Sequence, residues 1–188
     1  CYSVEEQIQL IKAGLSLLKR AGVPEINAFR AGSFGFNLDT LHALAANEID
    51  FDSSYSAKLF GPLSGMKPGM LVVEPLEYQG VFEYPLTVFK DGIGSLRHVQ
   101  LTACSYNEME RLLWQALERE RSSFVILSHN FEMLSPCKTR PDEIVIERFR
   151  KLCRFLERNQ DSFRICGFRG LNPRAVHQQP VSLAVDLW

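Results

Sequence analysis

The run Phe124-Val125-Ile126-Leu127-Ser128-His129 limits what this chain can fold into more than any other stretch. Apolar character that continues without alternation marks a strand covered on both faces, and such strands belong to parallel sheets flanked by helices. Helical periodicity does flank it. Ser105-Tyr106-Asn107-Glu108 has capping-box spacing and opens a helix to about Glu120, with Met109, Leu112, Leu113, Ala116 and Leu117 on one face. A second helix is expected from about Pro141 to Glu157, with Pro141 in its first turn and Asp142 and Glu143 complementing its positive end. This order predicts an α/β fold. His129 then stands at the carboxyl end of a strand, the edge where α/β folds bind ligands.

The same alternation occurs earlier in the chain. Ser3-Val4-Glu5-Glu6 is a second capping box, and Ile8, Leu10, Ile11, Leu15 and Leu18 continue a helix from about Ser3 to Ala21. Ile26 to Phe29 is an apolar approach that delivers Arg30 to a strand end, and Gly32 and Gly35 then form a turn. Asn37 is placed to cap a helix through about Ala46, with Leu38, Leu41, Leu44 and Ala45 on its apolar side. A strand from Ile49 to Tyr55 follows and carries Asp52, Ser53 and Ser54. Residues 56–70, rich in Gly, Pro and Ser, are expected to form a long loop of the kind that elaborates a site.

Leu71 to Glu74 and Val81 to Phe89 have strand composition, with Pro85 pointing to an edge or a strand start, and Arg97 to Ala103 is a further candidate. Residues 56–104 together look like an insertion of loop and extra strands within one domain spanning 1–188. Phe163 to Cys166 is the last expected strand, and the tail from Gly167 is irregular. Trp114 is expected in core or interface packing. A βα-type fold normally opens on a strand, so a chain opening on a helix that feeds a strand looks like an interior point of a larger domain.

Composition narrows the partners. A length of 188 residues suffices for one well-buried domain, and 46% apolar with 23% charged residues is globular and soluble in character. The net charge is −1 and the basic residues are dispersed, which argues against nucleic acid or an anionic membrane as the main partner. No apolar run approaches the roughly 20 residues of a membrane span. Five cysteines, odd in number and without CxxC spacing, fit reduced thiols better than a disulfide framework or a zinc site, and favour a reducing compartment.

Three polar residues therefore fall at or near strand ends: Arg30, Asp52 and His129. Neighbouring parallel strands would bring them to one rim. A carboxylate beside a histidine fixes its tautomer and favours the imidazolium that a general acid needs, and an arginine can orient another carboxylate or an anionic group. Each also has a plain structural role: a hydrogen-bonded histidine, a turn cap, a surface ion pair. His129 and Glu132, three apart, have the spacing of a metal pair on a helix, but they follow a strand. Neither a phosphate-cradling glycine motif nor a G-x-S-x-G elbow is present.

The ordered stretches FRAGSFGFN, FDSSYS, EYPLTVF and VILSHNFEML resemble the later part of the polysaccharide deacetylases, carbohydrate esterase family 4. The nearest likeness is to bacterial members whose stretches read FRAPSF, YDSS, ElP and HPWE. The resemblance covers roughly Cys1 to Leu134. It implies a partial or distorted (β/α)7-type barrel and hydrolysis of N-acetyl groups on the amino sugars of a glycan, by water activated on a divalent metal, zinc by preference. It further implies that His129 is the general acid, that Asp52 orients it, with Asp50 a competitor, and that Arg30 braces a catalytic aspartate. Gly32, Phe34 and Asn37 would lie on the substrate side.

The family's paired aspartates and its histidine pair spaced four apart are not found in the chain and would precede Cys1. The resemblance thus implies metal ligands outside this chain. It also implies action on exported polymers, against the compartment favoured by the cysteines. The alternatives are a non-catalytic glycan-binding or structural domain on the same scaffold and, less strongly, a sugar-active α/β enzyme using Asp52 and His129 without metal.

Overall fold

The computed structural model describes residues 2–61, 66, 67, 69–178 and 180–185. Among them the chain is mixed α/β, with five α-helices, a four-stranded sheet and a two-stranded sheet, neither closed into a barrel. It divides into two compact units, the first up to Pro85 together with Gly167–Gln178, the second Leu86–Cys166 with the segment after Gln178. The span expected as one insertion, 56–104, is thus divided at Pro85. Part of its loop, residues 62–65 and 68, lies outside the described residues.

In the first unit, α1 (Val4–Arg20) starts from a Ser3 capping box with Glu6, as the S-x-x-E spacing predicts. Helix α2 (Leu38–Ala46) starts from Asn37, whose side chain accepts from the Thr40 amide. Gln7 donates to Asn37 Oδ1 and accepts from Thr40 Oγ1, joining α1 to the start of α2. No residue of α1 is fully buried, although its apolar residues share one face. Leu10, Leu15 and Leu18 instead line an apolar groove of about 280 Å³ with Ile26, Phe29 and Ile49.

Strands β1 (Ala28–Phe29), β2 (Phe51–Asp52), β3 (Leu76–Tyr78) and β4 (Val81–Glu83) lie in the order β1-β2-β4-β3. The first three neighbours run parallel, and β3 joins β4 as an antiparallel hairpin. Strand β3 was not expected. Its turn is Gln79-Gly80, both at positive φ (51° and 86°), with the Gly80 amide donating to Glu77 Oε1. This is the backbone of a two-residue primed turn, which Gly at the second position makes accessible. Residues 71–74, expected to be extended, form no strand. A one-turn helix α3 (Ala57–Phe60) lies inside the expected loop.

In the second unit, β5 (Val88–Lys90) and β6 (Leu96–His98) form an antiparallel pair. The single strand expected from Val81 to Phe89 is therefore two, broken at Pro85, which has no amide to donate. The run from Phe124 is extended but thinly paired. The Thr87 amide donates to Val125 O, the Leu101 amide to Leu127 O and the Leu127 amide to Val99 O, and only Leu127 of the run is fully buried. Helices α4 (Tyr106–Glu118) and α5 (Glu143–Arg158) begin at Ser105 and Asp142 caps and pack Leu112, Leu113, Leu152 and Phe155 into one core. Trp114 meets Phe155 edge-on at 5.6 Å and Phe163 at 5.1 Å, so it is core packing. Phe163 to Cys166 forms no strand; Phe163 is recruited to this aromatic cluster, while Ile165 is exposed.

No helix among the described residues is long and apolar enough to cross a membrane.

Candidate functional site

The parallel register of the first unit decides which side chains meet. Phe29 pairs with Asp52, and Asp52 with Glu83, so Arg30, Asp52 and Glu83 come together at the carboxyl ends of three adjacent strands. Arg30 donates from Nε to Ser53 O and from Nη2 to Ser53 Oγ, both at 2.9 Å. Ser53 Oγ in turn donates to Tyr84 O at 2.8 Å, tying the ends of β2 and β4. Partial burial lowers the pKa of Arg30, with the charges of Asp52 and Glu83 opposing the change. A guanidinium stays cationic under such a shift.

Asp52 and Glu83 are both fully buried, at 0% exposure. Asp52 Oδ1 accepts from Ser54 Oγ at 2.6 Å, and Ser54 Oγ accepts from the Ala31 amide at 2.8 Å. Glu83 Oε1 accepts from the Tyr55 amide at 3.0 Å. Asp52 Oδ2 and Glu83 Oε2 are both sealed from water, and the two carboxyls interact. Burial raises the Asp52 pKa; the bonds from Glu83, Ser54 and the Ser53 and Ser54 amides work against it. Burial also pushes Glu83 well above the usual carboxylate range, reinforced by the Asp52 charge and by the bond to Asp52. Two adjacent buried carboxylates cannot both ionise cheaply, which favours retention of a proton between them.

Glu83 lies in the EYP stretch but was not expected as a member of the site. Its signal was an acid set in the apolar run Val81-Phe82-Glu83 at a position that the strand pattern buries.

His129 belongs to the second unit. It starts a 3₁₀ turn, Asn130–Met133, with the Glu132 amide donating to His129 O. Its Nδ1 is 3.2 Å from Glu132 Oε1, and its backbone amide donates to Glu132 Oε2 at 3.1 Å. Gln100 Nε2 donates to Glu132 Oε1 at 2.7 Å. The Phe131 ring stacks on the imidazole at 5.0 Å. The histidine side chain is 46% exposed and the glutamate 11%. The carboxylate at hydrogen-bonding distance from His129 is thus Glu132; Asp52 is in the other unit, bonded to Ser54 and Glu83.

Of the residues expected on the substrate side, Gly32 and Phe34 lie in the 3₁₀ turn Gly32–Phe34, where Ser33 and Phe34 take positive φ (51° and 55°). Such angles are uncommon outside glycine and concentrate at functional turns. Asn37 serves as the cap of α2. Among the described residues no three His, Cys, Asp or Glu side chains gather as metal ligands.

No protein-family model, curated protein or solved structure matches this chain.

Proposed function

We propose that the chain is the general-acid part of a hydrolase that removes N-acetyl groups from the amino sugars of a polysaccharide. The observation that carries the proposal is a half-exposed histidine ending an extended segment with a carboxylate on Nδ1, which leaves Nε2 as the ring nitrogen open to a substrate. The stretches that resemble polysaccharide deacetylases support the same role. On this reading the four-stranded sheet is part of a distorted (β/α)-type barrel. The divalent metal of such enzymes, zinc by preference, would draw its ligands from outside the described residues.

In the reaction, the oxygen of water bonds to the acetyl carbon and gives up a proton to a base. The C–N bond then breaks with its electron pair going to nitrogen, which takes the proton from imidazolium Nε2. Acetate and the free amine result. Within the first unit, Arg30, Asp52 and Glu83 fix the ends of β1, β2 and β4 and so shape the loop Ala31–Gly35 that follows β1.

The test is acetate release from N-acetylated glucosamine oligomers by the complete protein, with and without added zinc, beside His129→Ala. Turnover should fall by about 10²-fold or more, the usual scale for a general acid. Undiminished turnover would remove His129 from the reaction.

A further inference from the structure

We propose that Glu132 is the positioning residue of His129, that Gln100 braces Glu132, and that this three-residue assembly is complete without Asp52. The inference rests on the general-acid role of His129 and names the groups that make it effective.

An ionised carboxylate can only accept hydrogen bonds. Glu132 Oε2 takes the His129 amide, and Oε1 takes Gln100 Nε2 and faces Nδ1. The third contact is a hydrogen bond only when Nδ1 carries a proton, so this environment selects the Nδ1–H tautomer of the neutral ring. That form is what the ring becomes after Nε2 has given its proton to a leaving amine, so the assembly favours the acid's product without turning the ring.

The brace is anchored. Gln100 sits where Val99 and Leu101 exchange backbone bonds with Leu127, two residues before His129. The 3₁₀ turn closes Glu132 back onto His129, and the stacked Phe131 ring limits rotation of the imidazole. Asp52 belongs to the other unit, where it is buried at 0% exposure and its Oδ1 receives Ser54 Oγ.

The test combines nitrogen NMR of the histidine rings with turnover, on the complete protein and on Glu132→Gln, Glu132→Ala, Gln100→Ala and Asp52→Asn, with His129→Gln assigning the resonance. Neutral His129 should carry its proton on Nδ1, and Glu132→Ala should move the population toward Nε2–H. Glu132→Gln, which still presents an acceptor, should retain the Nδ1–H form. Glu132→Ala should lower kcat by about 10- to 100-fold at unchanged KM, the scale of partners that orient a reacting group, and Gln100→Ala should lower it less. Asp52→Asn should leave the tautomer as it is.

An Nε2–H tautomer in the unaltered protein would overturn the inference whatever the activity. A fully active Glu132→Ala beside an inactive His129→Ala would overturn the inference alone. A fully active His129→Ala would overturn the general-acid reading and the inference together.

Discussion

Replacing Glu83 by glutamine tests the buried carboxyl pair directly. An unfolded glutamate titrates near its ordinary value of 4.5, whereas Glu83 in the folded unit keeps its proton to a much higher pH. Below about 4.5 both states are protonated and the pair's contribution to stability is fully present. As pH rises above it, the unfolded chain sheds a proton that the folded one retains, so stability falls until the folded pair itself ionises. One retained proton corresponds to about 1.4 kcal/mol per pH unit. In the window above about pH 4.5 in which the folded pair still keeps its proton, the unaltered protein should therefore lose stability in its first unit as pH rises, and Glu83→Gln should not. The glutamine still accepts from the Tyr55 amide and donates permanently to Asp52, so it should be the more stable form above that window.

Glu83→Ala should differ in kind. It strands the Tyr55 amide and the Asp52 carboxyl, each costing about 1–3 kcal/mol, so a loss of about 2–6 kcal/mol is expected. With two compact units, a single melting curve would mix two transitions. Hydrogen exchange at the Tyr55, Phe51 and Tyr84 amides, corrected for intrinsic rates, reports the opening of the first unit alone. Parallel stability-against-pH curves for the unaltered protein and Glu83→Gln would refute the shared proton.

Arg30→Ala should cost about 1–3 kcal/mol in exchange protection of the β2 and β4 ends through loss of its bonds to Ser53, and Arg30→Lys should restore only part of it. Trp114→Ala should destabilise the second unit by about 3–5 kcal/mol, read from hydrogen exchange at the amides of α4 and α5, since it empties the cluster with Phe155 and Phe163. Iodoacetamide should alkylate exposed Cys137, Cys153 and Cys166 well before Cys104, whose burial raises its thiol pKa, and peptide mass mapping would show the order.

Helix starts were legible because a cap is a local device. Ser3 with Glu6, Asn37 ahead of its helix and Ser105 with Glu108 need only neighbouring backbone amides, and all three stand where their spacing puts them. Strand ends were partly legible for a similar reason: an apolar run that stops at Arg30 or Asp52 marks an edge. Strand pairing was less so, because a partner contributes half the hydrogen bonds and lies elsewhere in the chain. Residues 71–74 and 163–166 have strand composition yet no ladder, whereas Leu76–Tyr78 gained one from a turn at Gln79-Gly80.

What the sequence determined by itself was the alternation of helix and extended segment, the caps, and the presence of Arg30 and Asp52 near strand ends and of His129 at the end of an extended run. What only the tertiary structure decided was who meets whom. The register of β2 against β4 sets Asp52 opposite Glu83, 31 positions away in the chain, and closes both from water, so that burial and not sequence context raises both pKa values. The ladder at Leu127 brings Gln100 to Glu132, and the turn after His129 folds Glu132 back onto the imidazole. Local hydrogen bonds can be inferred from spacing, whereas charges brought together across strands depend on register, which the folded chain alone sets.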